Sequence, residues 1–318
     1  MASLSPSEAR PEVLAPVSPS EARSEVLAPV SSPEAGPEGL NTAVLASANL
    51  VGAAEAWVSS PEWMDFLWDE SPARRVKLLE RELYLRLWCD LIPPGVRVLD
   101  VGGGIGRFAM WCLDRGCDVE LVDLDPHSLA CARRHAVGRP GRLRTHLAAA
   151  DALPELEPVD VVIAAELLCY VADPSAVLAA AGAVLRPGGA LLCSVEARWG
   201  WAMAEDVPVG QISALLENGV VHAPGDRFVQ TYTPESFRDL LESGGWAVEQ
   251  LERSHYVCSG PFERLAGEID AARLFELEDR FRATAPLAHL NRALLAVARM
   301  TGALPKPRIG AASTPKPG

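Results

Sequence analysis

The segment Asp100-Val-Gly-Gly-Gly-Ile-Gly106 constrains the fold most, because it follows an apolar run of strand length (residues 97–101) directly and opens a helical stretch (107–115). Glycines at such a turn let the backbone reverse tightly and approach a ligand without Cβ clashes. The helix start beyond them offers free N–H groups to an anion. The same alternation continues downstream. Residues 119–122 read as a second strand, 127–137 as a helix, 159–164 as a strand, 174–185 as an Ala-rich helix, 186–189 as a turn and 190–195 as another strand. Apolar strands of this length separated by helices predict βαβ crossovers and a parallel sheet covered on both faces. The expected fold class is α/β, doubly wound, with helices on both sides of the sheet.

The ends of the 318-residue chain read differently. Residues 5–17 (SPSEARPEVLAPV) recur as 18–30 (SPSEARSEVLAPV), and a fragment of a third copy starts at Ser32. So few copies, so rich in proline, do not build a solenoid; residues 1–45 and the proline-rich 303–318 are expected to be disordered tails around a domain spanning 46–302. Trp57, Trp63, Phe66 and Trp68 form an aromatic cluster, expected either as a lid over the site or as packing for an N-terminal helix. Residues 62–91 then carry Val76, Leu79, Leu83, Leu87 and Leu91 at helical spacing, stopped by Pro93-Pro94-Gly95. The net charge of −13 opposes a dedicated nucleic-acid binder. No run is apolar enough to span a membrane, and no secretory signal opens the chain, so a cytoplasmic protein is expected. Seven cysteines at irregular spacing fit free thiols and no metal site.

Asp123 ends the second strand, 17 residues beyond Gly106, where a carboxylate can accept both hydroxyls of a ribose. A dinucleotide fingerprint would place glycine at 107; that position is Arg107, which disfavours a nicotinamide oxidoreductase, and a P-loop's Gly-Lys-Ser/Thr is missing. The string VLDVGGGIGRFAMWCLDRGCDVELVDLDPHSLACARR (98–134) resembles the class I S-adenosylmethionine-dependent methyltransferases, in which an acid precedes G-x-G-x-G and another acid ends strand two. Ala150-Asp151-Ala152-Leu153, the strand and loop at 159–171, Leu185-Arg-Pro-Gly-Gly189 and residues 232–246 continue the resemblance in order over about 75–255, with 291–299 as a final antiparallel strand. The resemblance implies a mostly parallel seven-stranded sheet and S-adenosyl-L-methionine as cofactor. It also implies roles: Asp100, Gly102 and Gly104 around the methionine portion, Asp123 on the ribose, Leu124 on the adenine face, Asp151 and the Ala152 N–H at the adenine edge, Glu166 and Leu167 on the floor near the sulfonium. Glu166 reads equally well as an exposed helix-start residue.

In-line displacement at an activated methyl needs proximity and alignment, and an oxygen acceptor also needs a base. Candidate catalytic residues are His222, Tyr170, Glu196 and His255. His222 lies in an insertion (196–231) rich in aromatic residues, the kind of segment that covers the substrate in this superfamily. A second insertion (260–288) is a charged helix with its acidic face in solvent, either a wall of the substrate site or a homodimer contact. The Asn/Asp-Pro-Pro-Tyr/Phe motif of nucleic-acid amino methylases is missing, and Cys193 lacks the context of a cytosine C5 enzyme. The expected function is methyl transfer to an O or N atom of a small molecule or short peptide, with natural-product biosynthesis as a setting and with neither nucleic acid nor membrane as partner. The alternatives are a protein or peptide N-methyltransferase and a non-methylating protein that keeps the cofactor pocket.

Overall fold

The computed structural model describes residues 72–203, 207, 209–223, 227–258 and 268–302. The repeat, both tails and the Trp57–Trp68 cluster lie outside the described residues. The chain opens with α1 (Pro72–Trp88) and alternates β1 (Arg97–Val101), α2 (Arg107–Asp114), β2 (Asp118–Asp123), α3 (Pro126–Ala136), β3 (Arg142–Leu147) and β4 (Val159–Ala164). Then come α4 (Pro174–Val184), β5 (Leu185–Glu196), α5 (Arg198–Ala202), α6 (Ile212–Asn218), β6 (Val220–Ala223), β7 (Arg227–Gln230), α7 (Pro234–Ser243), β8 (Trp246–Ser254), α8 (Ala271–Ala283) and β9 (Ala293–Met300). One seven-stranded sheet has the order β3-β2-β1-β4-β5-β9-β8, and β6-β7 form a separate two-stranded ribbon. The contacts among β1 to β5 are parallel, and β9 runs antiparallel between β5 and β8. The mostly parallel α/β sheet is as expected from the sequence.

The central strands read as continuous apolar runs because both of their faces are buried. Val161 and Ile163 pack with Tyr84, Trp88, Phe108, Leu113 and Leu129 of α1, α2 and α3. Val162 and Ala164 face the opposite layer with Val177, Leu178, Phe237 and Leu241 of α4 and α7. Helix starts follow local chemistry: Asp125 caps α3 by accepting from the His127 and Ser128 N–H groups, and Thr233 with Ser236 forms a reciprocal box at α7. A third small core joins Val76, Leu79 and Leu83 of α1 to Tyr256, Val257 and Cys258 beyond β8 and Leu274 of α8.

Two local expectations change, at β5 and at α8. The turn at 186–189 is absorbed into β5, whose pairing with β4 jumps from Val159↔Leu185 to Val161↔Ala190, so those four residues bulge out of the ladder. No helix links β3 to β4; residues 148–158 run irregularly, and Pro154 and Pro158 deny the segment helical donors. The α8 face expected to be wholly solvated carries one buried acid. Glu278 is fully buried and accepts from the Tyr256 and Val257 N–H groups at 2.8 and 3.0 Å, tying α8 to the chain leaving β8.

Candidate active site at the strand ends

In an open parallel sheet the ligand crevice lies at the carboxyl ends of the strands, where the strand order reverses. Here the reversal falls between β1 and β4. Asp100, 2% exposed, sits at the end of β1 and accepts from the Ala109 N–H of α2 at 3.2 Å. Burial pushes its carboxyl up to about 7. The chain then turns through Gly102, Gly104 and Gly106 at φ +67°, +53° and +92°, a left-handed series that L side chains resist. A Cβ on Gly102 would meet Leu167 Cδ1 at 2.8 Å, so the glycine loop and the turn after β4 are in direct contact. A Cβ on Gly104 would meet nothing within 4 Å. At the end of β2, Asp123 Oδ2 accepts from the Gly104 N–H at 2.7 Å and Oδ1 from the Asp125 N–H at 2.9 Å. Burial raises the Asp123 pKa against these bonds. The next residue, Leu124, is a large apolar side chain left 50% exposed.

Past β4, Glu166 holds a left-handed backbone (φ 55°). Its N–H donates to Ser194 Oγ at 2.8 Å, and its Oε1 accepts from the Tyr84 hydroxyl at 2.6 Å and Arg107 Nη2 at 2.8 Å. Burial alone would raise the Glu166 carboxyl, but the Arg107 and Lys77 charges outweigh it and hold it well below the usual carboxylate range. On the other side, Glu196 at the end of β5 accepts from Trp201 Nε1 at 2.7 Å and the Tyr170 hydroxyl at 3.3 Å, with Arg292 Nη2 at 3.8 Å. Burial raises the pKa of Glu196 and raises that of Tyr170 well above its ordinary value. Backbone bonds from Tyr232 to Glu196 and from Gln230 to Cys169 seat the β6–β7 ribbon and its exit against this corner.

A family described as "Methyltransferase domain" matches residues 71–251, more than half of the chain. The chain belongs to the S-adenosylmethionine-dependent methyltransferases. Among relatives, a tRNA 5-carboxymethoxyuridine methyltransferase of Escherichia coli K12 is 39% identical over 110 residues, 33% of this chain and 42% of the relative. A ubiquinone biosynthesis O-methyltransferase of Xanthomonas axonopodis pv. citri is 33% identical over 169 residues, 52% of this chain and 69% of the relative. The chain spans about half the length of the curated relatives that head the comparison, 42% and 55%. A solved S-adenosylmethionine-dependent methyltransferase from Mesorhizobium loti shares the fold at TM-score 0.50 and 22% identity, over 70% of this chain and 99% of that one.

Within this methyltransferase fold, the residues anticipated for the cofactor fall into two groups. Asp100, Gly102, Gly104, Asp123, Leu124, Glu166 and Leu167 come from the ends of β1, β2 and β4, and the contacts above join most of them. Asp151 and Ala152 are exposed in the β3–β4 segment, and the Ala152 N–H already donates to the Ala149 carbonyl at 3.1 Å, so a ring nitrogen would have to share it. The reading of Glu166 as an exposed helix-start residue is overturned: no helix begins there, and its side chain is 32% exposed within an ion network. Of the four candidate bases, Glu196 and Tyr170 are brought together. His255, 3% exposed with a left-handed φ of 63°, lies against Tyr84 with ring centroids 4.8 Å apart, and burial lowers its pKa to about 3. His222 is exposed on β6, with its ring against that of Phe228 of β7. Sequence reading missed the roles of Tyr84, Ser194, Trp201 and Arg292. Each acts through a partner from another element, and no spacing in the chain announces such a meeting.

Proposed function

We propose that this chain transfers a methyl group from S-adenosylmethionine to an O or N atom of a small molecule or short peptide, with Glu196 as the base. The carrying observation is the placement of Glu196: a carboxylate with raised pKa, held at the end of β5 by Trp201, Tyr170 and Arg292. The cofactor, when bound, supplies a methyl already activated by a positive sulfonium, so the protein's work is alignment and proton removal. The exposed face of Leu124 and the open space at Gly104 support an adenine and a methionine tail there, and the Asp123 carboxylate between them supports the ribose role. Asp100 and the Glu166–Leu167 turn would border the sulfonium, with Asp151 at the adenine edge. As the acceptor takes the methyl that the bound cofactor would supply, its proton would pass to the Glu196 carboxylate. Tyr170 keeps its proton and serves as a donor that fixes Glu196. A neutral His255 beneath α1 is less suited to the base role than Glu196.

Two features support a small acceptor in the cytoplasm over a nucleic acid: the net charge of −13 and seven free cysteines. No helix among the described residues is long and apolar enough to cross a membrane. The domain spanning 46–302, with its insertion at 196–231 over the acceptor, is part of the same reading. The test offers methyl-labelled S-adenosylmethionine with three separate pools: small metabolites, short peptides and bulk tRNA. Label entering the first or second pool, with turnover lost about 10²–10⁴-fold in Glu196→Gln at unchanged S-adenosylhomocysteine affinity, supports the proposal. Label in tRNA alone overturns the acceptor, and unchanged turnover in the variant overturns the base.

A further inference from the structure

We propose that Tyr84 is a positioning residue of the cofactor site, through which helix α1 shapes the floor formed by Glu166 and Leu167; this rests on the cofactor reading above. Three observations converge on the tyrosine. First, Glu166 and His255 are the two non-glycine residues with left-handed backbones among the described residues, and both side chains meet Tyr84. Such strain persists only where surrounding contacts over-determine it, and it concentrates at functional positions. Second, the Glu166 turn is clamped from three elements. Tyr84 of α1 and Arg107 of α2 hold its Oε1, and Ser194 of β5 holds its N–H. Ser194 Oγ also lies 3.4 Å from the Tyr84 hydroxyl, so the two clamps share a contact. Third, the turn touches the glycine loop: Leu167 fills the space a Cβ on Gly102 would need, and the Gly102 N–H is fixed to the Val122 carbonyl at 2.8 Å.

These contacts form a continuous path from α1 to the end of β2. If the Tyr84 hydroxyl is removed, Glu166 loses one of its two cationic or hydroxyl donors while remaining in a left-handed conformation that Glu does not favour. The turn can then relax, and Leu167 moves against Gly102. The Tyr84 ring keeps other duties, packing on Trp88, Phe108 and His255 with centroids at 4.9, 5.2 and 4.8 Å, and Phe would retain them.

The test is calorimetric titration of S-adenosylhomocysteine into the full chain as wild type, Tyr84→Phe, Ser194→Ala and the double variant, at a temperature where thermal melts show all four folded. The expected result is a dissociation constant raised about ten-fold in Tyr84→Phe, the loss of one hydrogen bond to a charged group, and about five-fold in Ser194→Ala, the loss of one hydrogen bond to a backbone N–H. The double variant should be weakened by less than the product of the two, because both act on one turn. A merely structural role for Tyr84 would lower the melting temperature and leave the affinity of the folded protein within two-fold of wild type, and that outcome overturns the proposal. If Tyr84→Phe fails to fold, Ser194→Ala carries the same measurement from β5. Wild type failing to bind S-adenosylhomocysteine would instead defeat the cofactor reading itself.

Discussion

Gly104 and Gly116 allow the cofactor site to be tested against a control with the same backbone cost. Gly104 lies in the loop after β1 at φ +53°, and Gly116 follows α2 at φ +76°; a Cβ on either would meet nothing within 4 Å. Substituting alanine at both places therefore adds the same methyl to the same left-handed backbone without a clash inside the protein. The penalty for an L residue in that region is roughly 1–2 kcal/mol. For a folded region of this size that corresponds to a fall in Tm of roughly 2–8 °C for Gly104→Ala and Gly116→Ala alike. Ligand binding separates them. The space above Gly104 adjoins the Asp123 carboxylate, which its N–H engages at 2.7 Å, and there the cofactor's methionine portion would press against the backbone. A methyl group intruding on a close-packed contact costs about 1–3 kcal/mol, which is roughly 5- to 150-fold in dissociation constant. Differential scanning fluorimetry gives the stability half, and calorimetry with S-adenosylhomocysteine gives the binding half. Equal affinities for the two variants would refute the placement of the cofactor over this loop.

Two further predictions follow from charge. Asp123→Ala removes the acceptor for two backbone N–H groups and the carboxylate proposed for the ribose, so S-adenosylhomocysteine affinity should fall by about 1.5–3 kcal/mol in the same calorimetric assay; unchanged affinity would remove the proposed ribose role. Glu278 is predicted to impose a pH dependence on stability: burial raises its pKa to about 7, above the roughly 4.3 of an unfolded glutamate. Between those values the folded chain holds a proton that the unfolded chain has released, so stability contributed at this position falls as pH rises from about 4 to 7 and levels off above. Glu278→Gln should flatten that segment, so the melting temperature of the variant relative to wild type should climb from pH 5 to pH 8. Asp100, also raised to about 7, titrates in both proteins and cancels from the difference.

How much of this was legible beforehand depends on whether a feature is local in the chain. β1, β2, β4 and the body of β5 stand out because burial on both faces demands unbroken apolar runs, and the glycine loop stands out because its left-handed turns demand glycine. β3 has no such signature. Arg142–Leu147 reads RLRTHL, lies at the sheet edge and stays half-exposed, and its neighbour's Glu120 gathers Arg97 of β1 with Arg144 and His146 of β3. Its strand character comes from the ladder with β2, which no single window contains. The β6–β7 ribbon escapes for a related reason, being four polar and apolar residues a side whose register depends on contacts with the loop after β4.

The same rule divides the candidate site. The residues assigned to the cofactor sit within short motifs at strand ends, where backbone geometry and ligand contact are settled by neighbours in sequence, so a linear reading finds them. Glu166 was found as a position but not as a structure, because its partners Tyr84, Arg107 and Ser194 lie 82, 59 and 28 residues away. At the corner proposed for the acceptor, Trp201 reaches Glu196 from five residues on in the chain, whereas Arg292 arrives only because β9 inserts antiparallel beside β5 and delivers residue 292 to the end of the strand that carries residue 196. The sequence offers Glu196 and Tyr170 as candidate bases, but neither the burial that raises the Glu196 carboxyl nor its ion pair with Arg292 can be read from it. On the proposed reading, the variants that discriminate acceptors should therefore lie at residues 170, 196, 201 and 292 rather than in the glycine loop.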